Sequence, residues 1–158
     1  GKGEPAWSGG LSRCRGAEKR FMILSSMKHD REIIMLANST IRAVIAAKDL
    51  ARAQRWYAEK LDLRPLREEA QGLLYQVGSS QFFLYQTSSA GTAQNTVAEF
   101  EVADIDAVMA DLRRRGVIFE EYNYPDFKTV NGIAMLGSDR AAWFKDSEGN
   151  FLALAQRR

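Results

Sequence analysis

The sequence is poor in cysteine and histidine and has no long apolar run. Its only cysteine is Cys14 and its only histidine is His29, which excludes an internal disulfide and a zinc cluster of thiolates and imidazoles. No stretch approaches the ~20 apolar residues that a membrane helix needs. The apolar residues 21–24 follow a charged segment and are too few for the core of a signal peptide. We therefore expect a cytoplasmic protein with no membrane partner.

A large charge of one sign is also missing from most of the chain. Residues 1–40 hold seven Lys/Arg and four Asp/Glu, whereas residues 41–158 hold 15 basic and 16 acidic residues. This near-neutral body argues against nucleic acid as a partner. With 158 residues, 46% apolar and 27% charged, the chain has the size and composition of one globular domain.

The first 39 residues are rich in Gly, Ser and Arg and show no sustained hydrophobic period. We expect residues 1–39 to be a flexible segment or an extension ahead of the domain, and residues 40–158 to be a single domain. A short helix near residues 30–36 is an open alternative. Cys14 and His29 both fall in this extension, so we expect them to be inert.

An ordered pattern begins at Thr40 and predicts a β-α-β-β-β unit over residues 40–88. Residues 41–45 alternate as a buried strand does, and Asp49 is placed to cap a following helix. The apolar stripe of this helix is Leu50, Ala53, Tyr57 and Leu61. Three strands are predicted at 63–69, 73–77 and 81–87. The polar segment 88–95 then predicts a linker.

A second copy of this unit is predicted over residues 96–156. Asp104 follows Asp49 by 55 residues, and either Asp104 or Asp106 is expected to cap the second helix, which ends at Gly116. The stripe of this helix is Ile105, Val108, Met109 and Leu112. The predicted strands are 96–102, 117–122, 132–142 with 143–145, and 151–156, with an insertion at 124–139. The turn 146–150, with Gly149 at positive φ, makes the last two strands a hairpin.

Three segments carry a family resemblance: AKDLARAQRWYAEKLDL, VAEFEVADIDAVMADLRRRGV and FKDSEGNFLAL. Together they resemble the vicinal oxygen chelate superfamily, which includes glyoxalase I, extradiol dioxygenases, fosfomycin-modifying enzymes and bleomycin-binding resistance proteins. The resemblance implies an α+β fold in which paired βαβββ modules form a curved mixed sheet around a cleft. It also implies a homodimer and, in active members, a divalent metal in the cleft.

The positions that the resemblance assigns to metal ligands hold unsuitable residues. They fall on Arg42, Val97, Ala153 and Leu84, with Tyr85 replacing Leu84 if the register shifts by one residue. Arginine has no usable lone pair and three of the others are apolar, so a phenol oxygen at most would remain. We therefore expect no metal and no cofactor at this site.

Strand alternation extends the expected cleft face from these positions. The residues predicted to share it are Val44, Phe82, Gln86, Glu99, Glu101, Phe151 and Ala155. Arg42 and Glu99 are charged on an otherwise apolar face, so two alternatives stay open. They form a structural salt bridge, or Arg42 binds a carboxylate, phosphate or other oxygen group of a ligand.

The aromatic residues divide into two groups. Trp56 and Tyr57 belong to the predicted helix and are expected in the core. Tyr122, Tyr124, Phe127 and Trp143 surround the insertion, and two roles stay open for them, ligand stacking or a dimer contact. Residues 146–148 have a turn composition, so we do not interpret them as a catalytic pair or a calcium loop.

Two functions of different class follow. The favoured one is a metal-independent small-molecule binding protein that sequesters an aromatic or anionic ligand in the cleft. The alternative is a lyase or dioxygenase with an atypical metal site, or a metal-free enzyme. In the metal-free case Glu99 or Glu101 would be the general base and Arg42 would stabilise an oxyanion.

Overall fold

A computed structural model describes residues 36–158, of which 41–158 form one unit. In the preceding unit the described part is short: a 3₁₀ turn at Leu36–Asn38, closed by a 3.0 Å hydrogen bond from Ser39 N to Leu36 O. The expectations for Cys14 and His29, and for the extension as far as residue 35, lie outside the described residues. Among residues 36–158, no helix has the length and apolarity to cross a membrane.

The first module consists of β1 (Ala43–Ala47), α1 (Leu50–Leu61), β2 (Pro65–Glu69), β3 (Gly72–Val77) and β4 (Ser80–Gln86). Its strands form a four-stranded mixed sheet, sheet one, with the order β1-β4-β3-β2. Strands β1 and β4 are parallel, and the other neighbours are antiparallel.

The second module consists of β5 (Thr96–Glu101), α2 (Ile105–Arg114), the small hairpin β6 (Asn123–Tyr124) and β7 (Phe127–Lys128), β8 (Ala134–Leu136), β9 (Asp139–Lys145) and β10 (Phe151–Gln156). It repeats the connectivity of the first module in sheet two, with the order β5-β10-β9-β8. Strands β5 and β10 are parallel, and the other neighbours are antiparallel. The predicted pair of βαβββ modules is therefore present.

Both helices begin at the capping aspartates of the repeat. Asp49 Oδ1 accepts a hydrogen bond from Arg52 N at 2.9 Å, and Asp104 Oδ1 accepts one from Ala107 N at 3.0 Å. These bonds satisfy backbone donors that have no partner within the helix. Of the two candidates for the cap of the second helix, Asp104 and Asp106, the structure therefore identifies Asp104.

Two strand predictions in the second module are wrong. Residues 117–122 form no strand, and only Phe119 makes an isolated bridge to Phe144. The strand predicted at 132–142 is divided, because the chain turns at Gly137 between β8 and β9. Both segments contain apolar residues without a strict alternation, and such a pattern does not show where backbone pairing stops.

The core lies between the two sheets and the two helices. Tyr57 is fully buried on α1 and belongs to the core as predicted. Trp56 is partly buried and packs against the core, with its ring 6.4 Å from that of Phe144. The core residues of the strands are Ile45, Ala47, Leu73, Tyr75, Phe82, Leu84, Ala142, Phe144, Leu152 and Leu154. Because side chains alternate along a strand, the intervening residues point away from the helices and form what we call the outer face of each sheet.

The turn after β9 joins the second module to the first. The buried Glu148 carboxylate accepts hydrogen bonds from Lys48 N at 2.8 Å, Asp49 N at 3.2 Å, and both Nε and Nη2 of Arg52 at 2.9 Å. Burial alone would raise the pKa of Glu148, but the hydrogen bonds from Arg52, Asp49 and Lys48 lower it. Glu148 and its partners therefore form a structural joint between the modules. The sequence predicted the turn but not this joint.

Asp146 completes the joint at its buried end. Its carboxylate accepts hydrogen bonds from Tyr57 Oη at 3.1 Å, Asn150 Nδ2 at 2.8 Å and Glu148 N at 2.8 Å. Burial raises the pKa of Asp146, and the hydrogen bonds oppose this shift. Gly149 has φ of 88°, as predicted for the turn.

Candidate functional site

The outer face of sheet two presents a row of paired side chains. Ala153 on β10 lies opposite Trp143 on β9 and opposite Glu99 on β5. Residues directly opposite in a sheet share a face, so these three side chains are neighbours. The next pair of this antiparallel ladder on the same face is Phe151 with Lys145. The predicted cleft positions of β10 and β9 therefore come together on one surface.

Four aromatic rings gather beside this row, and we call Tyr122, Tyr124, Phe127 and Trp143 the aromatic cluster. The Trp143 ring centroid is 5.8 Å from that of Tyr122 and 5.5 Å from that of Phe127, with both contacts edge-to-face. Tyr124 stacks on Tyr122 at 6.2 Å and is 60% exposed. Because Trp143 and Tyr122 are only partly buried, the cluster offers ring surface to a ligand or to another protein.

Hydrogen bonds from the insertion hold this cluster in place. Trp143 Nε1 donates to Thr96 Oγ1 at 3.1 Å. Tyr122 N donates to Thr129 Oγ1 at 2.8 Å, and Thr129 N donates to Tyr122 O at 3.0 Å. Burial, followed by the nearby charge of Glu120, raises the pKa of Tyr122. Thr129 of the insertion therefore positions Tyr122 against the tryptophan of β9.

A cation borders the aromatic surface. Lys145 Nζ lies 4.5 Å from the ring centroid of Phe151 and 3.7 Å from Glu120 Oε1. A lysine over a ring gains electrostatic attraction while it remains open to an anion. With its side chain 45% exposed, Lys145 can also contact a negatively charged group bound at the cluster.

The charged residues of the predicted cleft have different partners from those expected. Glu99 pairs with Arg157 Nη2 at 2.8 Å, Glu101 pairs with Arg157 Nε at 3.3 Å, and Arg42 lies over the Phe83 ring at 5.4 Å. Of the two alternatives left open, the salt bridge between Arg42 and Glu99 is therefore wrong. A cavity of about 710 Å³ is nevertheless lined by Arg42, Phe82, Glu99 and Glu101 together.

The sequence analysis does not identify Arg157 as a partner of the two glutamates, although strand alternation could have indicated it. Every second residue of β10 and its continuation shares one face: Phe151, Ala153, Ala155 and Arg157. Continuing the alternation of β10 past its end therefore places Arg157 on the outer face with the two glutamates. The ligand role of Arg42 and the general-base role of Glu99 or Glu101 remain predictions.

Two registers were left open for β4, and the structure agrees with the one that places Tyr85, not Leu84, on the outer face. Leu84 is fully buried opposite Ile45, and the Phe82 ring stacks on Tyr75 at 4.6 Å on the helix side. Gln86 shares their phase and donates through Nε2 to Lys48 O at 3.3 Å. Phe83 and Tyr85 take the outer face instead, since a shift of one residue reverses every side chain of a strand.

The position of Val97 has a separate cause. Thr96 pairs with Phe151 and Ala98 pairs with Leu152, so Val97 is an extra residue in a β-bulge. It is partly buried and packs against the core. The resemblance implies a cleft-facing position for Val97, whereas at the bulge this side chain packs against the core.

The residues at the implied metal positions do not fit a divalent cation. Leu84 and Val97 pack against the core, Ala153 is apolar, and Arg42 is a cation. Tyr85 would supply one phenol oxygen, whereas such ions prefer several carboxylate or imidazole ligands. Among residues 36–158, no three His, Cys, Asp or Glu side chains lie close enough to hold a metal ion.

Comparison with known proteins shows the fold. No family model and no curated protein matches the chain. A bleomycin-binding protein solved with bleomycin matches with a TM-score of 0.59 and 15% identity, covering 77% of this chain and 100% of the other. A lactoylglutathione lyase from Agrobacterium tumefaciens matches at 0.53 and 14%, covering 75% and 93%. The fosfomycin resistance protein FosX from Listeria monocytogenes matches at 0.56 and 12%, covering 77% and 94%.

These similarities confirm the fold prediction. The chain has the α+β, glyoxalase-like fold of these solved structures. Identities of this size carry information about the backbone arrangement and leave the chemistry to the residues of the chain itself.

Proposed function

We propose that the protein binds a small molecule by stacking it on the aromatic cluster of sheet two, without using a metal. The observation that carries the proposal is the perpendicular packing of Trp143 with Tyr122 and Phe127 on a partly exposed sheet face. Perpendicular rings form a corner with two aromatic walls, which suits a planar ring of a ligand. Affinity alone would be the activity, as in a sequestering protein.

Lys145 favours a ligand that is anionic as well as aromatic. Its ammonium group lies beside the Phe151 ring and near the cluster, at a position that is open to solvent. The neighbouring Glu120 screens part of this charge. A carboxylate or similar group on an aromatic ligand would compete with Glu120 for the ammonium group.

Two further observations support binding over catalysis. The four implied metal positions do not supply a ligand set, so Lewis-acid chemistry has no support from these side chains. Glu99 and Glu101, the candidate general bases, are both paired with Arg157. The similar bleomycin-binding protein was solved with bleomycin bound, which makes a binding role compatible with the fold.

The proposal retains a homodimer, which rests on the resemblance alone. A dimer contact is the competing use of the aromatic cluster, because exposed aromatic side chains also suit protein interfaces. The two uses differ in what removal of Trp143 would change. A ligand site would lose affinity for the ligand, whereas a dimer contact would change the molecular mass in solution.

Calorimetric titration with bleomycin and with 2-naphthoate tests the proposal. We expect Trp143→Leu to weaken binding of at least one of them by about tenfold or more, as for a buried aromatic anchor. Trp56→Phe is the matched control, because Trp56 lies on the helix side of the sheets. Lys145→Met should weaken the naphthoate selectively. Equal affinity in the wild-type protein and Trp143→Leu, with both folded, would refute the proposal.

A further inference from the structure

A second, wholly apolar crevice of about 200 Å³ opens between the two modules on their helix side. The first module contributes the end of α1 and the end of β3, and the second contributes β5, α2, β9 and β10. Its lining consists of Leu61, Leu63, Val77, Phe100, Val102, Val108, Leu112, Phe144 and Leu154. No polar side chain is among them. Six of these nine residues remain only partly buried, although closer packing would remove them from water.

One polar contact joins the ends of the two helices that contribute to the crevice, and local hydrogen bonds order the turn after each helix. Lys60 Nζ, at the end of α1, donates to Arg115 O beyond the end of α2 at 2.5 Å. Leu63 N donates to Tyr57 O at 3.1 Å, and Val117 N donates to Leu112 O at 3.0 Å. These bonds fix the turns that follow both helices. The crevice therefore belongs to the built geometry of the module boundary.

The size and chemistry of the crevice restrict its occupant. A stable contact with a second copy needs about 800 Å² from each partner, far more than nine side chains around this small opening provide. A charged or strongly polar group would find no partner within it. Enclosed apolar cavities of about 150 Å³ take up benzene-sized molecules, and this crevice has a similar volume although it is open to solvent.

We propose that this crevice is a binding site for a small, uncharged, apolar molecule of the size of one aromatic ring. It is separate from the aromatic cluster, because Phe144 and Leu154 point into the crevice while their neighbours Trp143 and Ala153 occupy the outer face of the same sheet. The proposal is therefore independent of the function proposed above. It adds an apolar site on the opposite side of sheet two.

Methyl-resolved NMR with benzene as the probe tests this site. Seven lining residues are Leu or Val, so their methyl signals report directly on binding in the crevice. We expect saturable shifts concentrated on these methyl groups, with intermolecular nuclear Overhauser contacts from benzene to them. Non-saturating shifts spread over exposed methyl groups, or an absence of such contacts at the highest soluble benzene concentration, would overturn the proposal.

Two filling variants and one control localise the binding. Val102→Phe and Val108→Phe each add a ring from a different wall, and either should weaken benzene binding by about tenfold or more if it occupies the cavity. Val130→Phe makes the same change at a site that is 73% exposed and should leave binding unchanged. Wild-type affinity in a folded filling variant would also refute the site. If both filling variants fail to fold, the wild-type Overhauser contacts decide the question alone.

Discussion

Trp143 and Ala153 lie directly opposite each other on the antiparallel strands β9 and β10. Ala153 is only 1% exposed, although it belongs to the outer face of sheet two. The resemblance implies a metal-binding glutamate at this position. In this chain a methyl group stands there beside an indole ring, so the same part of the sheet offers an apolar and aromatic surface.

Restoring the implied glutamate should therefore fail to create a metal site. We expect Ala153→Glu to bind no stoichiometric zinc, nickel, manganese or iron, because the other implied positions provide no complementary ligands. The new carboxylate would enter a buried position next to Glu99, and we expect it to lower the free energy of unfolding by about 2 kcal/mol or more. Elemental analysis and chemical denaturation measure the two effects. A bound metal would contradict our account of the site.

Removing the charge of Glu148 at the joint between the modules should destabilise the protein more than removing a charge from a surface ion pair. Glu148→Gln keeps the shape of the side chain but replaces a buried acceptor of five hydrogen bonds, one of them from Ser147 Oγ. We expect a loss of about 1–3 kcal/mol in the free energy of unfolding, since a charged acceptor is replaced by an amide that must place donors there. Glu69→Gln, at the more exposed pair with Arg67, should change it by about 0.5 kcal/mol or less. Equal effects would contradict the structural role of Glu148.

The same carboxylate predicts a pH dependence. The pKa of Glu148 is lower in the folded protein than its ordinary value of about 4.3. Its contribution to stability should therefore be present at neutral pH and disappear as the pH falls through the lowered folded-state pKa. Denaturation curves between neutral and acidic pH should show the difference between the wild-type protein and Glu148→Gln shrinking on acidification. A difference that grows on acidification would refute the sign of this shift.

The two aspartates at the start of α2 should differ in their effect on the helix. Asp104→Ala removes the capping bond to Ala107 N, and we expect it to cost about 1 kcal/mol of stability. Asp106→Ala removes an exposed ion pair with Arg140 and should have the smaller effect. Thermal unfolding followed by circular dichroism compares them. The reverse order would mean that the cap is assigned to the wrong residue.

Local pattern predicted much of this molecule. The repeat spacing located both capping aspartates, and the apolar stripes identified the core faces of α1 and α2. Turn residues around Gly149 predicted the final hairpin. Such features depend on short-range backbone geometry and on helical periodicity, which neighbouring residues determine.

The site was predicted less completely. Alternation from the implied position of Ala153 added Phe151 to the outer face. On β4 the resemblance left Leu84 and Tyr85 as alternatives, because the register of β4 against β1 depends on long-range pairing. The bulge at Val97 interrupts the regular alternation of side chains in β5. Arg157 took the partner assigned to Arg42, since competition between two arginines for one carboxylate depends on distances that a sequence does not contain.

The sequence by itself determined the two βαβββ modules, the helix caps and the lack of suitable residues at the implied metal positions, because residue type and local period decide these properties. The tertiary structure decided which aromatic rings meet on sheet two, how Glu148 joins the modules and where an apolar crevice remains between them. Each of these brings together side chains from distant parts of the chain. Their contacts depend on strand register and on the packing of one module against the other.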